Sequence, residues 1–223
     1  MSGSENPHPL PAVVPVFPLP NVVMFPRGVL PLHIFEERYK KMTADVLQAH
    51  GQIAMALLAP GWEKDYHGRP ALHPVVCVST IISHERLADG RYNFLLEGHT
   101  RARIVGEQKT EPYRLAEIEP LEEVGGEEAN LSDLRGRLVG MFQRGAYAAL
   151  PAGRQIRELL VREAPTPTVV DLICFNILAE HPIELRQELL AEPDVRKRVA
   201  RVVQTLAALS PAWMNVPPDA RMN

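Results

Sequence analysis

Val13-Val14-Pro15-Val16-Phe17-Pro18-Leu19-Pro20-Asn21-Val22-Val23-Met24-Phe25-Pro26-Arg27-Gly28-Val29-Leu30-Pro31-Leu32-His33-Ile34-Phe35-Glu36-Glu37-Arg38-Tyr39 changes period partway along. Up to Ile34 the apolar residues are β-branched or alternate, as in Leu30, Leu32 and Ile34, which reads as two strands. From Phe35 they recur at helical spacing: Phe35, Tyr39, Met42 and Val46 form one apolar stripe. Gly51 sits where that helix stops. Prolines break the strands, which suits an edge or a bulge, since proline donates nothing to a ladder. Eight of the chain's 21 prolines lie in its first 31 residues. At about twice the usual frequency they would suit a disordered chain, but 46% hydrophobic residues and no low-complexity tract make them punctuation in a folded one.

Further on, Ile53–Leu58 and Val75–Ser83 are continuous apolar runs expected as buried strands. Leu87-Ala88-Asp89-Gly90-Arg91 is a hairpin signal, because Asp-Gly takes positive φ readily, and Tyr92–Gly98 returns as the partner strand. Ala102–Glu107 and Tyr113–Leu121 complete about seven strands. After the acidic stretch Glu122–Glu128 the period is helical: Leu131, Leu134, Leu138, Met141 and Phe142 share a face, as do Val195, Val199, Val202, Leu206 and Leu209. Pro167, Pro182 and Pro193 fall near expected helix starts, with Thr166 as an N-cap. The expected organisation is a segment 1–12, a β-rich domain 13–122, a helical subdomain 123–210 and a tail 211–223. Net charge is −3 overall, which argues against a general nucleic-acid binder. Cys77 and Cys174 sit in apolar surroundings without metal-ligand spacing, the first residues lack a signal-peptide pattern, and no apolar run is long enough for a bilayer. A cytoplasmic protein is expected.

Val16-Phe17-Pro18-Leu19-Pro20-Asn21 with Leu30-Pro31-Leu32-His33-Ile34-Phe35-Glu36-Glu37-Arg38-Tyr39 resembles the opening of the Lon N-terminal, substrate-binding domain. The His-Ile-Phe-Glu-x-Arg-Tyr wording is most similar to that of free-standing bacterial members. Asp89-Gly90-Arg91, Leu96-Glu97-Gly98-His99-Thr100-Arg101-Ala102-Arg103-Ile104 and Gln187-Glu188-Leu189-Leu190 through Arg198 resemble later motifs of the family, in order. The resemblance implies an α+β fold, a PUA-like β-barrel followed by a small C-terminal helical bundle. No Gly-x-x-x-x-Gly-Lys-Ser/Thr phosphate loop is present, and no Ser–Lys protease domain is expected, so ATP-driven proteolysis is not expected of this chain.

His33, Glu36, Arg38 and Tyr39 are candidates for a recognition corner where strand passes into helix. The alternative is architectural, with Phe35 and Tyr39 packing the helix onto the barrel and Glu36 and Glu37 favouring its positive end. Glu97, Gly98 and Arg101 read as a bend or bulge with an ion pair to Arg38 or Arg101, in place of a catalytic set. Trp62 and Tyr66, on the loop between two buried strands, together with Phe25 and Tyr92, are candidate partner contacts, because amphipathic aromatics give large contact area. Asp65, His67 and His73 lack a compact metal motif, so no metal or cofactor is expected. Arg196-Lys197-Arg198 with Arg201 reads as solvated helix surface. The leading expectation is a non-catalytic module that binds unfolded or partner polypeptide segments through strand edges and apolar pockets, with a role in protein quality control. RNA binding through Arg101, Arg103, Lys109 and Arg114, or an enzyme with an unrecognised pocket, stays open as an alternative.

Overall fold

A computed structural model describes residues 10–65, 68–143 and 146–214. The β-rich unit holds β1 (Val13–Leu19), β2 (Val29–Ile34), α1 (Glu37–Gln48), β3 (Gln52–Leu57), β4 (Val75–Arg86), β5 (Tyr92–Gln108) and β6 (Arg114–Pro120). The strand order is β2-β5-β4-β3-β1-β6, and β6 pairs again with β5, so five strands close a ring. Only β1 and β3 run parallel; the other pairs are antiparallel. β2 lies outside the ring, so β5 serves two neighbours on one side: β2 pairs with Tyr92–Glu97 and β6 with Ala102–Gln108.

The stretches 92–98 and 102–107 are therefore one strand instead of two. The bend or bulge expected at Gly98 is a bulge: Gly98 faces Ser79 and Thr100 faces Val78, so His99 is the extra residue. Alternate residues fill the ring, among them Val14, Val16, Ala54, Ala56, Val76 and Val78. Alanine and valine suit a narrow barrel whose interior admits no larger side chain on every strand.

The β1 prolines are placed by hydrogen bonding. The Leu58 N–H donates to the Leu19 carbonyl at 3.0 Å, so Leu19 and, by alternation, Phe17 and Pro15 face β3. Pairing with β3 covers Val16–Leu19 and pairing with β6 covers Val13–Val16. Pro15 thus stands where the β3 ladder begins, its nitrogen ahead of the first bond, and Pro18 faces the β6 side after that ladder ends. Pro31 stands in β2, whose one strand neighbour is β5.

The apolar stripe of α1 buries Tyr39, Met42 and Val46, but Phe35 is not part of it. The helix starts at Glu37, with the Tyr39 and Lys40 N–H groups donating to the Glu36 carbonyl, and Phe35 is 63% exposed. At the other end Gly51, with φ +70°, donates to the Val46 carbonyl and stops the helix. The Asp-Gly turn forms as expected, with Gly90 at φ +81°.

The second unit comprises residues 25–28 and 122–214 of those described. It contains α2 (Glu128–Gln143), α3 (Pro151–Val161), α4 (Thr166–Asn176), α5 (Ile183–Ala191) and α6 (Val195–Met214). Leu131, Leu134, Leu138 and Phe142 of α2 and Val195, Val199, Val202 and Leu206 of α6 are buried. Thr166 is not the N-cap of α4; Pro165 holds that position. Glu128 reaches Thr166 instead, accepting from its backbone N–H (2.5 Å) and its hydroxyl (2.7 Å). Arg198 is a further correction: it is fully buried, donates to Glu123 and the Glu192 carbonyl, and lies 3.7 Å from Asp171. Arg196 pairs with Asp133 and Lys197 with Asp194, so each residue of the basic run has acidic partners of its own. Among the described residues, no helix is long and apolar enough to cross a membrane.

Candidate functional site

The β-rich unit carries a cleft of about 370 Å³ where the barrel ladder is incomplete. Its floor runs from Val16, the last residue of β1 paired with β6, to Pro20 just past the strand. One side is the corner from β2 into α1, with Leu32, His33, Phe35, Glu36, Arg38 and Tyr39. The opposite side is made by Gly68–Pro70 and by Thr110–Arg114 from the β5–β6 connection.

Charged side chains fix both sides. Buried Arg114 forks onto Glu107, Nε to Oε2 at 2.9 Å and Nη2 to Oε1 at 2.6 Å, and its Nη1 donates to the Pro70 carbonyl at 2.7 Å. A planar guanidinium suits this task because it serves a carboxylate and a carbonyl together. Arg69 binds from the other direction, donating to the Thr110 carbonyl at 2.8 Å. The Tyr113 hydroxyl donates to Asp45 of α1 at 2.7 Å, and Lys41 pairs with the same carboxylate. Burial, then the bond to Asp45, pushes the Tyr113 hydroxyl up to about 12. Hydrogen bonds from Lys41 and Tyr113 hold Asp45 below the usual carboxylate range.

On the corner side, Glu36 pairs with Arg38 at 3.0 Å, and the guanidinium lies 4.7 Å over the Tyr39 ring. Tyr39 meets Phe17 edge-on at 4.5 Å between centroids, which seats α1 on β1. His33 has Nδ1 2.6 Å from Asn93 Oδ1 and Nε2 3.2 Å from Arg91 Nη1. Arginine only donates, so Nε2 accepts and the imidazole proton sits on Nδ1. Arg91 is itself held by Asp89 at 2.6 Å. Phe35 stacks loosely on His33, 6.3 Å between centroids, and presents the rest of its ring to solvent at the cleft.

The cleft therefore gathers His33, Phe35, Glu36, Arg38 and Tyr39, all singled out in the sequence, and leaves the other candidates elsewhere. Phe25 is fully buried and Tyr92 is 7% exposed, so neither offers a contact surface. Both are apolar enough to serve a core, and Tyr92 lies under Arg86, 5.9 Å from the guanidinium to the ring centre. Trp62 is half-buried in a short 3₁₀ turn, Trp62–Asp65, and does not line the cleft. Tyr66 and His67 lie outside the described residues. Glu97 sits on β5 opposite Val29 and Thr80, and Arg38 pairs with Glu36 in its place. Arg101 and Arg114, two of the four residues weighed for RNA contact, are buried, Arg114 in the wall of the cleft. Pro18, Arg69 and Tyr113 were not anticipated as lining; the residues 68–70 and 110–114 carry two prolines and no periodicity, and only the closed ring brings them together.

A family model described as the ATP-dependent protease La (LON) substrate-binding domain matches residues 13–208. A Lon protease 2 of Myxococcus xanthus is 26% identical over 205 residues, covering 92% of this chain and 24% of the relative. A Lon protease 1 of Bdellovibrio bacteriovorus is 29% identical over 203 residues, with 88% and 24% covered. The chain thus spans about a quarter of the length of the curated relatives it matches. Among solved structures, the N-terminal domain of a Mycobacterium avium complex Lon protease superposes with a TM-score of 0.64 at 16% identity, covering 87% of this chain and 98% of that one. A Lon N-terminal domain protein from Xanthomonas campestris gives 0.60 at 21% identity, with 87% and 97% covered. These likenesses establish the α+β fold.

Proposed function

The chain belongs to the LON substrate-binding domain family, and from that premise we propose that it is a non-catalytic recognition module. It binds extended or unfolded polypeptide segments in the cleft beside Phe35 and serves protein quality control. The observation that carries the reading is Phe35, an aromatic ring left 63% exposed at a preformed cleft. Aromatic and arginine side chains dominate binding energy where they cluster around a pocket, and Arg38 and Arg69 flank this one. The cleft's chemistry supports binding over reaction. His33 has both ring nitrogens engaged by Asn93 and Arg91, and the Thr110 hydroxyl donates to the Tyr113 carbonyl, so the imidazole and the hydroxyl of this cleft are held in structural bonds.

The test is the affinity of a permanently unfolded probe, carboxymethylated α-lactalbumin, for the wild type and for Phe35→Ala. Removing an exposed ring should leave the melting temperature unchanged and weaken binding about tenfold or more, the effect of a hot-spot aromatic worth about 1.4 kcal/mol or more. Equal affinity for both proteins, or no binding to the wild type, refutes the reading.

A further inference from the structure

The floor of the cleft accepts hydrogen bonds but does not donate them. Beyond Val16 the β6 side of β1 has no ladder partner, while Phe17 and Leu19 direct their peptide groups to β3. The residue facing the open side is Pro18, whose ring replaces the N–H and whose carbonyl meets no donor among the described residues. The next residue on that side, Pro20, lacks an N–H too. An ordinary strand edge offers alternating donors and acceptors and recruits any extended chain as a further strand. This edge cannot.

We propose that the cleft holds an extended apolar polypeptide segment by a single backbone bond. One ligand N–H donates to the Pro18 carbonyl while a neighbouring large apolar side chain lies against Phe35 and Leu32. Pro18 and Pro20 bar the segment from adding as a full strand. Affinity then comes from one bond and one side-chain contact, and so tolerates many sequences and releases quickly. Strand addition, by contrast, would leave the segment bound through a ladder. This mode rests on the recognition reading above and specifies the chemistry of the same cleft.

A fluorescein-labelled ten-residue peptide of alternating leucine and serine, and ten analogues each N-methylated at one position, separate the alternatives by fluorescence anisotropy. The expected result is one position, or two adjacent registers of it, where N-methylation weakens binding roughly threefold to tenfold, with the rest within twofold. Pro18→Ala, which restores an N–H to the edge, should tighten the parent peptide by a similar factor. Its melting temperature, compared with wild type, establishes that the variant is folded. Losses at every second position would mean strand addition, and a flat scan would mean no backbone bond; either overturns the single-bond mode and leaves recognition standing. A parent peptide that fails to bind, or binds Phe35→Ala as tightly as wild type, overturns both.

Discussion

Arg198→Met is the substitution whose cost the structure specifies most directly. Arg198 is fully buried in α6, and its guanidinium donates to Glu123 and to the Glu192 carbonyl while its Nε lies 3.7 Å from Asp171. Methionine matches the aliphatic stem, so little packing is lost. The cost lies in what remains. Asp171 is 4% exposed and loses its neighbouring cation, and the Glu192 carbonyl loses a charged donor. Glu123, 38% exposed, turns to water and adds little. Removing one partner of a buried pair costs about 3–5 kcal/mol, and the solvated Glu123 places this case near the lower end, about 3 kcal/mol. Urea unfolding measures the loss as a shift of midpoint at constant slope. The double variant Arg198→Met, Asp171→Leu removes both charges and should recover at least about 1 kcal/mol of it, because replacing a whole buried pair is far cheaper than halving it. A single variant within about 0.5 kcal/mol of wild type, or a double variant no better than the single, refutes the buried-charge argument.

Two glycine substitutions should move stability in opposite directions. A Cβ on Gly153 would stand 1.8 Å from the Tyr147 carbonyl oxygen, so Gly153→Ala should cost about 2–3 kcal/mol despite alanine's better helix propensity. On exposed Gly136 of α2 a Cβ meets nothing within 4 Å, and Gly136→Ala should gain up to about 1 kcal/mol in the same urea assay. The buried Tyr147 hydroxyl donates to the Leu206 carbonyl at 2.8 Å, and burial pushes its pKa up to about 12. The folded state therefore keeps a proton that the unfolded state releases near pH 10, and stability is full below pH 10 and falls as pH rises toward 12. Keeping that proton is worth about 2–3 kcal/mol. Tyr147→Phe, some 1 kcal/mol weaker at neutral pH, should show a correspondingly shallower alkaline decline; equal slopes would contradict this.

What could be read from the sequence differs from what could not by the kind of physics involved. Periodicity sees faces, so the stripe Tyr39, Met42, Val46 and the buried sides of α2 and α6 are legible in the sequence alone. The same rule misplaces Phe35: it shares the spacing of the stripe, but the helix begins two residues later, at Glu37, and the ring is left outside. Spacing alone carries no information about where the first helical bond closes. Arg198 fails in the other direction. It lies three residues after Val195 and four before Val202, on the apolar face, so its position argued for burial while its charge argued against, and the partners that resolve the conflict are 27 and 75 residues away in the chain. The prolines show most clearly what needs a topology. Pro15 and Pro18 are three apart on one strand and look alike in the sequence, yet alternation points them at opposite neighbours, Pro15 at the start of the β3 ladder and Pro18 past the end of the β6 ladder. A strand with prolines reads as an edge strand. In a closed ring there is no edge strand in that sense, only a strand whose two ladders are offset along its length, and the offset is what leaves the cleft open at Pro18. Pro18 and the candidate site thus share one stagger: where β6 stops short of the end of β1, a residue that donates nothing is tolerated, and its carbonyl is left without a donor among the described residues.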